Sequence, residues 1–130
     1  MIDLDTVKSG LIQFDYGDCL RSAANPAGEE VRDIDVVRFD VEIFEAVTKG
    51  YLQEARAFLS ETDVDMLVDA IKIITLEQAI RFLADYVNGD IYYHTSYPAH
   101  NLTRANVQWA LFQDIERKEA EAHHILNTCW

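Results

Sequence analysis

Between Ala70 and Leu83 the apolar residues nearly encircle a helix. Ala70, Ile71, Ile73, Ile74, Leu76, Ala79, Ile80 and Leu83 leave it little polar surface. A helix that is hydrophobic on almost every side belongs in the middle of a bundle. The rest of the chain is therefore expected to fold around it. Thr62 is expected to cap this helix, because Asp65 follows three residues on in the manner of a capping box. Asn88-Gly89 supplies its stop. The 130 residues suit a single domain spanning residues 1–130.

Three further helices are expected to pack against that one. Asp15 to Ala24 reads as a short helix with Gly17 near its middle, ended by Asn25-Pro26-Ala27-Gly28. Val41, Phe44, Val47, Thr48, Tyr51, Leu52, Ala55, Phe58 and Leu59 recur at three- and four-residue steps. That spacing predicts an amphipathic helix from Asp40 to Leu59, with Asp40 and Glu42 at the positive end of its dipole. Leu102, Ala105, Trp109, Phe112 and Ile115 form the inner face of a last helix. Its charged tail, Glu116 to Ala122, is expected to project into solvent or lie against another subunit. Residues 2–7 alternate apolar and polar, which reads as a short extended N-terminus. The fold class is thus all-α, a bundle of about four helices.

Charge excludes some functions. Lysine and arginine number 11 against 23 acids, a net charge of −12. Phosphate backbones and anionic membranes need cationic partners, so neither nucleic acid nor membrane is expected. No apolar run is long enough to span a bilayer, and Met1 to Asp5 lacks the basic and apolar regions of a secretory signal. Cys19 and Cys129 show no zinc spacing and are expected to stay reduced in the cytoplasm.

Four groups of residues suggest chemistry. Asp3 and Asp5 share one face of an extended segment and offer hard oxygen ligands for Mg²⁺; solvated acids near a terminus are the plainer reading. Arg81 is a cation in the most apolar helix. On spacing alone it pairs with Glu77 or Asp85; alternatively it donates a fork of hydrogen bonds to a polar ligand. Tyr92, Tyr93, His94, Tyr97 and His100 form an aromatic, polar loop of the kind that lines sugar or nucleotide pockets. His94 and His100 lack a third zinc ligand, and His123-His124 reads as a solvated face. Asp18 is expected to cap its own helix or orient a neighbouring loop.

Several of these blocks resemble one family. Ile2-Asp3-Leu4-Asp5-Thr6, Phe14-Asp15-Tyr16-Gly17-Asp18-Cys19-Leu20-Arg21 and Ala24-Asn25 are similar to the C-terminal half of sugar kinases of the aminoglycoside phosphotransferase and choline kinase superfamily. The likeness is above all to the N-acetylhexosamine 1-kinases, some of which carry a mucin desulfatase label. It continues through Phe39 to Ala46, Ile80 to Tyr86, Gly89 to Tyr93 and His100-Asn101-Leu102, and so covers residues 2 to about 115. The resemblance implies that Asp3 holds Mg²⁺ against nucleotide phosphates, that Asp18 braces the catalytic loop, and that Arg81 and Tyr92 bind the N-acetylhexosamine.

The departures from that family carry equal weight. Phosphoryl transfer needs a phosphate-covering loop, a lysine on the nucleotide, a catalytic base and a second metal ligand. In the family these precede the matched residues, and none of the four histidines here begins a His-x-Asp motif. No catalytic residue is therefore assigned, and no bound cofactor is expected, although the intact family uses Mg²⁺ and ATP. Three readings follow. One is a kinase-like fragment with at most weak N-acetylhexosamine binding. Another is a subunit completed by a separately encoded N-terminal lobe. The last is a non-enzymatic acidic helical module. Exposure of a surface meant for internal packing predicts a homodimer.

Overall fold

The computed structural model describes residues 9–130, and the described residues form an all-helical bundle. Residues 2–7, expected to be extended and carrying Asp3, lie outside them. Five α-helices follow in order: α1 (Ile12–Ala23), α2 (Val41–Ala55), α3 (Glu61–Asp65), α4 (Leu67–Val87) and α5 (His100–Cys129). A 3₁₀ turn, Ile34–Val36, interrupts the loop between α1 and α2. None of these helices is long and apolar enough to cross a membrane.

Side-chain caps set the starts of α2 and α3. Asp40 caps α2, its Oδ1 accepting the Glu42 and Ile43 amides at 3.2 Å each. The expected cap at Thr62 is corrected to Ser60. The Ser60 hydroxyl accepts the Asp63 amide, and the Asp63 carboxylate accepts the Ser60 amide, a complete capping box two residues earlier than predicted. The chain then bends at Met66, so the expected single helix divides into α3 and α4.

Helix α4 packs chiefly on α5 and α1, and α2 packs on α5. Leu20, Phe39, Phe44, Leu67, Ile71, Leu111, Ile115 and Leu126 fill the core between them. Two polar links tie the layers. The Tyr16 hydroxyl donates to Thr48 Oγ1 at 2.8 Å, and Thr48 in turn donates to the Phe44 carbonyl. Burial pushes the Tyr16 phenol up, so it stays protonated as a donor. The Asp114 carboxylate accepts the Phe39 amide at 2.7 Å, while Lys118 bonds both Asp114 and the Phe39 carbonyl. That link fastens the segment before α2 onto α5.

Two expectations about packing are corrected. The tail after Glu116 does not leave the bundle. It continues α5, buries Ala122 and Leu126, and meets Arg56, whose guanidinium donates to the Cys129 carbonyl. Helix α4 is not enclosed on all sides. Val68, Ile71, Thr75, Ala79 and Phe82 face the core, whereas Ile80 is 58% and Val87 74% exposed. Its apolar surface is two stripes, one inside and one outside. Cys19 and Cys129 are free.

Helices α1 and α4 touch at Gly17. A Cβ there would stand 2.9 Å from the Ala70 carbonyl oxygen and 3.0 Å from Ile74 Cγ1. Alanine normally stabilises a helix interior by about 1 kcal/mol over glycine. Here that gain is outweighed by an overpacking cost of roughly 1–3 kcal/mol. Gly17→Ala is expected to lower the melting temperature by about 5 °C in a calorimetric scan; an increase would show that the helices are not in contact there.

Candidate functional site

A broad open cleft of about 1060 Å³ lies between α1, α4, the loop after α4 and the start of α5. Asp18, Arg81 and Tyr92, which the sequence singled out separately, all line it. Phe14, Phe82 and Tyr93 supply apolar surface, and Arg21, Glu29, Gln78 and Arg104 supply polar groups.

One wall is organised by Arg21. Its side chain is buried; its Nε donates to Asp18 Oδ1 at 2.9 Å, and its Nη2 lies 2.8 Å from the same oxygen in an ion pair. Its Nη1 binds Glu29 and reaches Gln108 Oε1 at 3.3 Å. Burial works against the Arg21 charge, but Glu29 and Asp18 more than offset it, so its pKa is raised. Asp18 does not cap α1; among the described residues it pairs with Arg21 one turn along its own helix, at the cleft surface. Arg104 is tied similarly, to Glu30, the His94 carbonyl and Asn101 Oδ1, with its guanidinium over the Phe82 ring.

The opposite wall is aromatic. Phe82 and Tyr93 pack with centroids 4.7 Å apart, and Tyr92 meets Tyr93 edge-on at 4.8 Å. The Arg81 guanidinium lies 5.7 Å from the Tyr93 centroid and 6.0 Å from that of Tyr92. Its carboxylate neighbour is Glu77, at 3.8 Å. Of the two partners allowed by spacing, Glu77 is the one it faces, and loosely. Arg81 remains about half exposed, with donors free toward the cleft.

Asp85, the other suggested partner of Arg81, does something the sequence reading missed. Its carboxylate points inward and accepts the backbone amides of Ile91, Tyr92 and Tyr93 at 3.1, 2.9 and 2.9 Å. The Asn101 amide adds a fourth bond at 2.9 Å and also holds Asp90. Gly89 and Asp90 both have positive φ, a reversal that glycine and aspartate tolerate best. The chain thus folds back over the end of α4 and presents Tyr92 outward. The available signal was an acid on the core-facing side of a helix, which needs partners. The Tyr93 amide first, then those of Tyr92 and Ile91, hold the Asp85 carboxyl below its usual range despite desolvation.

The two loop histidines part company. His94 lines the cleft, while His100 is buried and stacked on Tyr97 at 4.3 Å. Among the described residues, ligand-type side chains converge at Asp69, Glu119 and His123, none of which lines the cleft. The Lys72 ammonium already sits 2.9 Å from Glu119 and 3.6 Å from Asp69. Within the cleft, Arg21 takes up Asp18 and Glu29, and Glu77 faces Arg81. Asp3, the residue expected to hold Mg²⁺, lies outside the described residues. No protein-family model matches the chain.

Asp85 and Asp114 make stability fall in acid. Burial favours the neutral form of Asp114, but Lys118, the Phe39 amide and Arg117 together pull its carboxyl down. Both carboxyls titrate below the ordinary 3.8 when folded. The folded chain then binds fewer protons than the unfolded one. Their stabilisation is complete above pH 3.8 and is lost as pH falls through the folded values. Melting temperatures measured downward from neutral pH should drop below about pH 4. Asp85→Asn should flatten part of that drop and accelerate amide exchange at residues 91–93. Unchanged exchange there would refute the clamp.

Proposed function

We propose that this chain is a sugar-binding helical lobe of the kind found in the C-terminal half of N-acetylhexosamine 1-kinases, and that it does not transfer phosphate unaided. The observation that supports this reading most is the meeting of Asp18, Arg81 and Tyr92 in one cleft. These positions come from three separate stretches of sequence, and the resemblance assigns the last two to the sugar.

The chemistry of the cleft suits a neutral polyhydroxy ligand. Aromatic faces at Tyr92 and Tyr93 pack against the C–H surface of a pyranose. The half-exposed Arg81 fork and the Gln78 amide offer hydrogen bonds to hydroxyl or acetamido oxygens. Asp15, Asp18, Glu29 and Glu77 outnumber the cleft's arginines, which disfavours a polyphosphate. The groups that would bind ATP and remove the hydroxyl proton are not among the matched residues. A purely structural acidic module would suit an Arg81 buried in an ion pair away from any cavity; its place on the cleft wall favours the binding reading.

Titration of ¹⁵N-labelled protein with N-acetylglucosamine or N-acetylgalactosamine should shift amides around 81 and 91–94, with a dissociation constant on the order of 1 mM. Arg81→Ala should weaken binding roughly tenfold, the cost of one charged hydrogen bond, and Tyr92→Ala should weaken it comparably. No sugar-dependent ATP turnover is expected with Mg²⁺ present. Turnover that appears only on adding a separate N-terminal lobe would mark the chain as a kinase subunit. Turnover by the chain alone, or shifts confined to residues away from the cleft, would overturn the proposal.

A further inference from the structure

The outer stripe of α4 has a pattern that a merely exposed surface does not need. Ile73, Leu76, Ile80, Leu83 and Val87 follow one another at steps of three, four, three and four residues. That is an unbroken a/d heptad seam, with isoleucine or valine at every a position and leucine at every d. The core-facing residues Val68, Ile71, Thr75 and Phe82 lie on the opposite side of the helix. The seam is therefore surplus to the bundle's own packing. Ile73, Ile80, Leu83 and Val87 are all exposed, and Leu76, Ile80 and Leu83 form an apolar groove with Trp109 of α5.

We propose that this seam is the docking surface for a second copy of the chain, pairing α4 against α4 about a two-fold axis. Two features select that occupant. Beta-branched residues at a with leucine at d favour two-stranded pairing of like helices. The molecule carries a net charge of −12, so two copies repel over most of their surface, but the seam itself is uncharged. Ala84, a small exposed residue on the flank, lets the backbones approach. The seam from Ile73 to Val87 runs roughly 21 Å. The helix is already held by its own bundle, so pairing does not have to nucleate it. A two-fold contact of this kind also closes on itself and adds no further copies.

Sedimentation equilibrium of the full chain should show a dimer at roughly 100 µM, with a dissociation constant in the low micromolar range. Ile80→Asp places two carboxylates in the seam and should weaken the dimer roughly 100-fold or more. Ile80 is exposed in the single chain, so the variant should keep its far-ultraviolet helical signal. Phe58→Asp alters an equally exposed apolar residue elsewhere and should leave the dimer intact. A monomeric parent chain at that concentration would assign the seam to a different protein and overturn the proposal. So would a dimer indifferent to Ile80→Asp.

Discussion

The Asp85 carboxylate sits in the last turn of α4, inside the bundle, and the aromatic wall of the cleft is positioned relative to it. A buried anion is costly unless hydrogen bonds replace its water shell. Three consecutive backbone amides and the Asn101 side chain do that here. The same bonds bend the loop after Gly89 back over the helix and set where Tyr92 and Tyr93 stand. The loop has little apolar surface to bury, since Ile91 and Tyr92 are largely exposed. Much of its order comes from that one acceptor.

The other side of the cleft follows a similar logic with the charge reversed. Arg21 is a buried cation, and it gathers Asp18, Glu29 and Gln108 around itself. Those contacts join α1, the loop before the 3₁₀ turn, and α5. Two oppositely charged buried groups thus anchor two walls, and each is satisfied by the protein. Arg81 stands between them with its nearest carboxylate at 3.8 Å. A weakly engaged fork beside aromatic faces is suited to exchanging water for a neutral ligand, because little must be broken first.

Much of the architecture was legible in the residues. The three- and four-residue spacing of Phe44, Thr48, Leu52 and Ala55 located α2 and Asp40 marked its start, though the helix ends at Ala55 and not at Leu59. The cap of the following helix was misplaced because Thr62 and Asp65 have the same spacing as Ser60 and Asp63. Only the hydrogen bonds distinguish the two pairs. The cleft was legible only in pieces. Tyr92 was visible as part of an aromatic loop and Arg81 as a cation in an apolar helix. Asp85 was read only as an arginine partner, because its true donors are backbone amides, which every residue possesses and no side-chain pattern announces.

The amino-acid order by itself determined that this chain is helical, roughly where its longer helices lie, and that α4 is apolar on more than one side. Those properties depend on neighbours a few residues apart along the chain. Which stripe of α4 turns inward, which acid meets Arg81, and whether Asp18 and Tyr92 share a cavity were decided by the tertiary structure. They depend on contacts such as Gly17 with Ala70 and Arg21 with Gln108, between residues far apart in sequence. Helical periodicity can mark a face as apolar, but only packing against the other helices decides what covers it.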